Sequence, residues 1–556
     1  MARAASEVLS VELSGSSRYS IVSSQGLHRV GNALGPRPLA APGISAELDA
    51  ALLAGAHATI TGYIGQSGGQ LRVSASEQNA ATGKMIAMES ASGPISGGIT
   101  PLLDRIAKKF GGETRGYSTR NEPALAAFAQ ALELPPAESG AAYERATAAD
   151  PNFGAAWVGA VRAAAARQDR ASEERVLAEA KVRGAGIDEL NRAYLDLDEA
   201  ALKSPDLRNL RDALAHIARL TPNDANNTRA LADSEMAAKQ FPDAISHYQR
   251  ALELQPSESG LWNSLGYAQL FNGDDSGAIK SFSEYRRLLP GQANPLDCIG
   301  DVHYRFGRFD QAENYYLQAF AKDAAFQEGA DLYKAAQARR MTGDVDGATK
   351  LFDRFALPRR SPANLIDLLR AEWTYSVGDV PTARQQIAQF AERTIIPPQW
   401  RAQALAEAAM WDLIAGDRDA ALRHSQNTPG LIRKIVTGDT ENDPHAEAFR
   451  LLLTKDFAAA APIWKTIVDE SPVTQAEPPV LYAWALVETG RELEAAPLVS
   501  VFPLPAMTVG SGLQALAFPR IFYLRGKVFG KQGKAAEAAK DLAIFQKLSA
   551  TLGRGD

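Results

Sequence analysis

The chain has 556 residues, of which 46% are hydrophobic and 22% are charged, and its formal net charge is −6. This length exceeds one ordinary hydrophobic core, so we expect several domains or an elongated repeat array. The weakly acidic charge, with no block rich in lysine and arginine, argues against a nucleic-acid partner.

Residue usage excludes two further classes of protein. The single cysteine, Cys298, excludes an internal disulfide framework and a zinc site built from cysteines. No apolar run approaches the roughly 20 residues that a membrane span needs, and the N-terminus lacks a signal-peptide core. We therefore expect a soluble chain without membrane insertion, located in the cytoplasm or the periplasm.

The first 116 residues mix helical and strand patterns. Helical periodicity is present at residues 5–13, 25–34, 45–53 and 99–110. Strand patterns lie at residues 19–22, 58–64, 71–75 and 85–88. Glycine-containing turns separate the last three strands, as in a meander of hairpins. These patterns together predict a small α/β domain over residues 1–116.

Residues 56–90 read AHATITGYIGQSGGQLRVSASEQNAATGKMIAMES. This stretch, within the order of elements around it, resembles the TolB-N-like domain that precedes repeats in many bacterial proteins. Members of that family usually begin with an extra hydrophobic strand, and this chain starts inside the helix that follows it. The resemblance therefore leads us to expect that further sequence precedes Met1. In relatives, this can be a kinase, a cyclase or a DNA-binding domain followed by a membrane span.

From residue 117 to the C-terminus, segments of helical periodicity come in pairs. The first three pairs are predicted at residues 121–134 with 138–148, 153–167 with 172–183, and 188–202 with 206–220. Beyond residue 326 the spacing is looser, and Gly-Asp or Gly-Arg pairs supply the residue that can turn with a left-handed backbone. We count about twelve pairs of roughly 34–37 residues, which predicts one array over residues 117–556.

The stretch from Asp224 to Phe326 is the most regular part of this array. Its second helices share a small–aromatic stripe that recurs every 34 residues, with a third position that is alanine in the first and last copies and tyrosine in the middle one: Ala244, Tyr248 and Ala251, then Ala278, Phe282 and Tyr285, then Ala312, Tyr316 and Ala319. Small residues let a neighbouring helix approach while the aromatic ring fills the remaining gap.

This spacing resembles the tetratricopeptide repeat, a helix–turn–helix unit with fixed small and aromatic positions. The middle copy matches it most closely, with Trp262, Leu265, Gly266, Ala278, Phe282 and Pro290. The resemblance implies a right-handed α-α superhelix, preceded here by the small α/β domain. It also implies a concave inner surface.

In the tetratricopeptide family, the second, fifth, ninth and twelfth residues of each first helix line the concave groove. In this sequence these positions are Asn226, Arg229, Asp233 and Met236 in the first copy, Gly260, Asn263, Tyr267 and Leu270 in the second, and Asn294, Asp297, Asp301 and Tyr304 in the third. We call the surface that they form the first-helix face. The polar and aromatic members predicted to bind a partner are Asn226, Arg229, Asp233, Asn263, Tyr267, Asn294, Asp297, Asp301 and Tyr304. The set lacks the two cations and two asparagines of carboxylate-clamping members, so capture of a peptide C-terminus is not expected.

No pattern in the sequence indicates catalysis, a metal or a cofactor. The seven histidines include no pair at the spacing of a helical metal site, and no His-Glu-x-x-His occurs. A Gly-x-Ser-x-Gly elbow and a kinase motif set are both missing. The triplet Thr82-Gly83-Lys84 lacks the remainder of a phosphate-binding loop and is interpreted as a hairpin turn.

We therefore expect a non-enzymatic scaffold or sensor that binds a protein or peptide through the first-helix face. One alternative is the sensory portion of a larger signalling protein whose effector lies outside this chain. A second alternative is a self-assembling structural protein, because repeat arrays can stack end to end. The sequence does not name the partner or the pathway, and homo-oligomerisation stays open.

Overall fold

The computed structural model describes residues 2–16, 18–19, 21, 51, 56–112, 114, 116–203, 207–359, 365–426, 428, 430–471, 477–505 and 514–551. The described chain divides into two compact units, Met1–Asn272 and Gly273–Asp556. The strand predicted at residues 19–22 and the helices predicted at 25–34 and 45–53 lie largely or wholly outside the described residues.

The first unit begins with a helix and an antiparallel sheet and continues as helices. Its helices and strands are α1 (Ala2–Leu13), β1 (Ala58–Ser67), β2 (Gln70–Asn79), β3 (Met85–Pro94), α2 (Thr100–Gly111), α3 (Glu122–Glu133), α4 (Gly140–Ala149), α5 (Gly154–Ala166), α6 (Arg170–Arg183), α7 (Glu189–Lys203), α8 (Leu207–Leu220), α9 (Ala225–Ala237), α10 (Phe241–Leu254) and α11 (Ser259–Phe271). Asparagine or aspartate side chains cap the N-termini of α3, α6 and α9 by accepting backbone N–H groups.

The three predicted strands are confirmed, and each is longer than its pattern suggested. They pair in the order β1-β2-β3, with Tyr63 opposite Ser74 and Val73 opposite Ala91. The buried face of this sheet shares one hydrophobic cluster with α1 and α2, and also with residues of α3, including Phe128. The sheet therefore packs into the same core as the first helices after residue 116, and the domain boundary at that residue stays a prediction.

The second unit consists of helices joined by short turns or loops. They are α12 (Asp275–Leu288), α13 (Asn294–Arg305), α14 (Phe309–Lys322), α15 (Ala330–Met341), α16 (Val345–Ala356), α17 (Ile366–Ser376), α18 (Val380–Ala391), α19 (Pro398–Ile414), α20 (Arg418–Ser425), α21 (Gly430–Thr437), α22 (Pro444–Leu453), α23 (Phe457–Glu470), α24 (Glu477–Glu488), α25 (Glu492–Val499), α26 (Gln514–Ala517), α27 (Arg520–Lys531) and α28 (Ala535–Thr551). Short 3₁₀ turns precede α15 and follow α16.

The small–aromatic stripe lies on the buried side of the second helices, as its spacing predicts. Tyr248, Phe282 and Tyr316 are all buried in the packed helices. Gly300 on α13 shows how closely the helices approach, because an added Cβ would lie 2.6 Å from the Tyr316 ring. The turn before α14 places Gly307 in the left-handed region, with φ of 73°, as the turn chemistry requires. Local sequence therefore sets both the packing distance within a helical pair and the turn that closes it.

Candidate functional site

The first-helix face of Met1–Asn272 presents an accessible ion pair. Arg229 and Asp233 lie one turn apart on α9, with Nε and Oδ2 separated by 3.6 Å, and their side chains are 35% and 51% exposed. Gly260, at the start of α11, lies beside the guanidinium, since an added Cβ would be in ordinary van der Waals contact with Nη1 of Arg229 at 3.7 Å. Arg229 thus lies across two neighbouring repeats while staying open to solvent.

The second helix of the same repeat donates a side-chain hydrogen bond to Asp233. Tyr248 on α10 is buried, and its hydroxyl donates a hydrogen bond of 2.5 Å to Oδ1 of Asp233. Burial, followed by the nearby carboxylate, raises the pKa of the Tyr248 phenol, so it remains a donor at all ordinary pH values. One oxygen of Asp233 is therefore used inside the chain, and Arg229 reaches the other.

The remaining predicted residues of this unit are half-buried. Asn226 lies in the first turn of α9, where its backbone N–H donates to the capping carboxylate of Asp224. Asn263 and Tyr267 lie on α11, and the Tyr267 ring stacks on Phe271 with centroids 6.2 Å apart. The face consequently offers a cation, a carboxylate, amides and an aromatic ring with partial access to solvent.

The equivalent residues of Gly273–Asp556 are far less accessible. Asp297, Asp301 and Tyr304 on α13 are all buried. Asn294 is half-buried, and its Nδ2 donates to the Tyr285 hydroxyl at 3.0 Å. Four of the nine predicted binding residues are therefore largely engaged within the folded chain.

Lys334, on the neighbouring helix α15, neutralises two of these acids. Its Nζ lies 2.7 Å from Oδ1 of Asp297 and 3.1 Å from Oδ1 of Asp301. The hydroxyl of Tyr316 donates to the same Asp301 oxygen at 2.8 Å. The cluster also includes Asp331, one turn before Lys334, which hydrogen-bonds to Asp297.

Burial and the neighbouring charges shift the pKa values of Asp301 and Lys334 in opposite directions. Burial raises the pKa of Asp301 to about 6, although Lys334 opposes the shift. Burial likewise disfavours the charge of Lys334, but Asp301 and Asp297 overcome that effect and raise the pKa of its ammonium group. For Asp331, burial and the charge of Asp297 outweigh the opposing charge of Lys334 and raise its pKa to about 8. One of the three acids is therefore protonated near neutral pH.

We expect Asp331→Asn to reduce the pH dependence of stability in this unit. The pKa of Asp331 is 3.8 in the unfolded chain and about 8 in the folded one. Such an acid stabilises the fold fully below pH 3.8, and this contribution is lost as the pH rises to about 8. Between pH 6.5 and 8, wild type should therefore lose about 2 kcal/mol relative to Asp331→Asn. His303, whose pKa burial lowers to about 4, titrates in the opposite sense below this window. Urea denaturation at several pH values measures the difference, and parallel pH curves would contradict the expectation.

A distant stretch of the same chain packs against the C-terminal end of α13. Phe502, after α25, is buried and donates its backbone N–H to the carbonyl of Arg305 at 2.7 Å. Its ring packs edge-on against Phe309 at 4.9 Å. Leu516 on α26 belongs to the same buried cluster as Tyr304. The contact of Phe502 lies at the C-terminal end of α13, whereas the buried acids Asp297 and Asp301 pack against Lys334 of α15 and Tyr316 of α14.

Lys334 was not predicted from the sequence, although a regular spacing points to Asp301, one of the two acids that it binds. An aspartate stands fifteen residues before the stripe tyrosine in two copies, as Asp233 before Tyr248 and Asp301 before Tyr316, and both pairs are hydrogen-bonded. In the middle copy the stripe residue is Phe282, which has no hydroxyl, and the acid is replaced by a tyrosine. The fifteen-residue spacing therefore indicates a hydrogen bond between the aspartate and the stripe tyrosine, whether the aspartate is exposed, as Asp233 is, or buried, as Asp301 is.

No group of metal-binding side chains emerges from the described ranges. Within them, no three or more His, Cys, Asp or Glu residues are placed to hold a metal ion. Cys298 is buried on α13, where its thiol lies 3.5 Å from Oδ1 of Asn294. Among the described helices, none combines the length and the apolar character that crossing a membrane requires.

Comparison with known proteins identifies the repeats. Residues 229–293 and 299–364 match the family model described as tetratricopeptide repeat. The chain is 31% identical over 100 residues to general transcriptional corepressor ssn6 of Schizosaccharomyces pombe, covering 17% of this chain and 9% of that protein. It is 24% identical over 99 residues to general transcriptional corepressor trfA of Dictyostelium discoideum, covering 17% and 7%. The chain thus spans less than a tenth of the length of these relatives.

Solved structures with a similar course of helices include a tetratricopeptide repeat protein from Parabacteroides merdae. It is 14% identical, with 48% of this chain and 98% of that chain covered and a TM-score of 0.35. Pseudomonas aeruginosa pilF is 18% identical, with coverage of 41% and 99% and a TM-score of 0.28. The repeat match and the observed elements confirm the predicted fold class, a mainly helical tetratricopeptide-like solenoid with a small sheet near its N-terminus. The TolB-N-like assignment stays a prediction.

Proposed function

We propose that this chain, which carries tetratricopeptide repeats, is a non-enzymatic scaffold or sensor that binds a protein or peptide partner. The proposed contact surface is the first-helix face of Met1–Asn272, with Asn226, Arg229, Asp233, Asn263 and Tyr267. Tetratricopeptide repeats are protein-binding modules, and the match in residues 229–293 includes part of this face. The corepressor role of the two curated relatives is not carried over, because only a short stretch of each is matched.

The exposed pair of Arg229 and Asp233 carries this proposal. An arginine held by an acid and laid over a glycine is positioned before a partner arrives, so little side-chain entropy is lost on binding. Arginine and tyrosine are also the side chains that most often dominate protein interfaces. In Gly273–Asp556 the corresponding acids are buried and paired with Lys334, so we leave Asp297, Asp301 and Tyr304 out of the proposed surface.

We expect Arg229→Glu to weaken partner binding by at least about tenfold, because it replaces the accessible cation by a charge that Asp233 repels. The full chain, immobilised in wild-type and variant form, is used to capture partners for quantitative mass spectrometry, and a recovered partner is then titrated in purified form. Tyr267→Ala should reduce binding in the same assay.

Arg250→Glu is the matched control. Arg250 lies on the second helix α10, is similarly exposed, and also pairs with a local acid, Glu253 at 2.9 Å. We expect this variant to bind as wild type does. If Arg229→Glu and Arg250→Glu recover and bind every partner equally, the first-helix face of this unit is not the contact surface.

A further inference from the structure

The sheet of Met1–Asn272 has two outer strands, β1 and β3, and their edges differ. The carbonyl of His57 accepts a hydrogen bond from the N–H of Ala80, which continues the register of β1 with β2. Hydrogen-bonded and non-hydrogen-bonded pairs alternate along an antiparallel ladder, so the N–H and C=O groups of the even-numbered residues of β1 point away from β2. These edge-facing residues are Ala58, Ile60, Gly62, Ile64 and Gln66.

Side chains of α2 occupy the outer edge of β3. Nζ of Lys109 donates a hydrogen bond to the carbonyl of Ser90 at 3.1 Å, and Nη2 of Arg105 donates to the carbonyl of Ser92 at 2.9 Å. Charged side chains at an exposed edge prevent another strand from adding to it. The edge of β3 is therefore closed by the chain itself.

The edge of β1 has no such protection among the described residues. Within that part of the chain, no hydrogen bond reaches the backbone groups of the edge-facing residues from outside the strand. The ten residues of β1 read ATITGYIGQS, with neither a charge nor a proline, and β-branched and aromatic side chains are frequent. A long, uncharged edge strand of this kind pairs readily with a strand of another chain.

Strand β1 also lies beyond the helix that covers the sheet. Helix α2 packs against β2 and β3, where Val73 and Ala91 are buried. Ile60 and Ile64 point to the same side of the sheet from β1 but are only partly buried. On the opposite side of β1, Tyr63 is 74% exposed. Both sides of this strand therefore have apolar side chains that a neighbouring strand can cover.

The sequence of β1 is complementary to itself in the antiparallel direction. A two-fold axis at Gly62 places Ile60 opposite the partner's Ile64 on the helix side of the sheet, and Thr61 opposite the partner's Tyr63 on the other side. The isoleucines cover one another, and an aromatic ring beside a β-branched residue is a favourable cross-strand pair. Because Gly62 is edge-facing, the two glycines at the axis exchange both of their backbone hydrogen bonds.

We propose that the edge of β1 is an interface between two copies of this chain. Their β1 strands pair antiparallel about Gly62 and join the two three-stranded sheets into one sheet of six strands, an isologous contact of the kind that closes most homodimers. This inference goes beyond the proposed function, because it assigns a partner to the sheet and not to the repeats. It does not depend on the Arg229 surface.

Sedimentation equilibrium of the full chain tests the proposal. We expect the average mass of wild type to rise from that of one chain towards that of two as the concentration increases. Gly62→Lys and Gly62→Glu should each weaken this association by about tenfold or more, because like charges then meet at the two-fold axis. An added Cβ at this position lies 3.6 Å from the Ser74 carbonyl oxygen, which is an ordinary contact, so the sheet of one copy accepts either side chain.

Mixing Gly62→Lys with Gly62→Glu tests the register itself. Lysine and glutamate then face one another across the axis, so the mixture should associate at least as tightly as wild type. Ser92→Lys is the matched control, because it adds the same charge at an exposed position of β3, next to the closed edge. This control should associate as wild type does.

A wild-type mass equal to that of one chain at every concentration overturns the proposal. Unchanged association of Gly62→Lys, or a mixture as weak as either variant alone, overturns it as well. Circular dichroism and thermal melting establish that each variant is folded.

If a charged variant at position 62 unfolds, Gly62→Cys replaces it. Opposed Cα atoms of a hydrogen-bonded pair are about 5.5 Å apart, within the range that a disulfide spans, so this variant should form a covalent dimer in oxidising buffer. Ser92→Cys is the control and should not, and the native Cys298 is buried. Equal cross-linking of the two variants contradicts the proposed interface.

Discussion

Replacing Lys334 by methionine is expected to lower the free energy of unfolding of Gly273–Asp556 by about 3–5 kcal/mol. The ammonium group contacts Asp297 at 2.7 Å and Asp301 at 3.1 Å, and all three side chains are buried. Without it, two carboxylates would face each other with Asp331 nearby in a site that excludes water. They must then remain charged without a partner or take up protons, and either outcome destabilises the folded state.

Urea denaturation followed by tryptophan fluorescence measures this effect. Five of the seven tryptophans lie in this unit, at positions 373, 400, 411, 464 and 484, so the signal reports mainly on its unfolding. Lys465→Met serves as the control, since Lys465 forms an exposed pair with Asp469 and should change nothing measurable. Combining Lys334→Met with Asp297→Asn and Asp301→Asn should recover most of the loss. Equal stability of the Lys334 and Lys465 variants would show that the buried pair contributes nothing.

Phe502→Ala should destabilise the same unit by about 3–5 kcal/mol, through lost burial and the cavity left behind. The Phe502 ring contacts Phe309 at 4.9 Å and Phe522 at 5.4 Å, and the Arg525 guanidinium lies 4.3 Å from its centroid. It therefore joins the turn after α13 to α27, which begins more than two hundred residues later in the sequence. The backbone hydrogen bond to Arg305 is unaffected by the substitution, so the measured loss belongs to the ring.

The matched control for this variant is Leu493→Ala. Leu493 is a large apolar residue of the same unit, but its side chain is mostly exposed, so its truncation should cost less than about 0.5 kcal/mol. Urea denaturation monitored by circular dichroism separates the two variants. If Phe502→Ala is no more destabilising than Leu493→Ala, then the ring does not stabilise the contact between the turn after α13 and α27.

The repeat architecture could be predicted because its determinants lie close together in the sequence. The alternation of Ala312, Tyr316 and Ala319 decides which side of α14 is buried, and Gly307 permits the turn that precedes it. These relations span at most one repeat, so they are visible in a single sequence by their 34-residue period. The helical pairs were predicted on this basis, and the three-stranded sheet from the alternation of its strands and their glycine-containing turns. The structure confirms a helical solenoid with a small sheet near the N-terminus.

The accessibility of the first-helix face could not be predicted in the same way. Repeat numbering assigned Asp233 and Asp301 to one equivalent position, and both accept a hydrogen bond from the stripe tyrosine. One is exposed in the first unit and the other is buried beside Lys334 in the second. The repeat pattern does not distinguish the two, because the difference arises from Lys334, which belongs to the following repeat.

The repeating helical pair, its packing stripe, its turns and the numbering of the first-helix face follow from periodicity within the sequence. Which of those positions are exposed depends on contacts between helices in the folded chain. The physical reason is the range of the interactions involved. Helix periodicity and turn geometry depend on residues a few positions apart. Burial of the α13 acids depends on Lys334 of the next repeat, and the packing at the end of α13 depends on Phe502, about two hundred residues away.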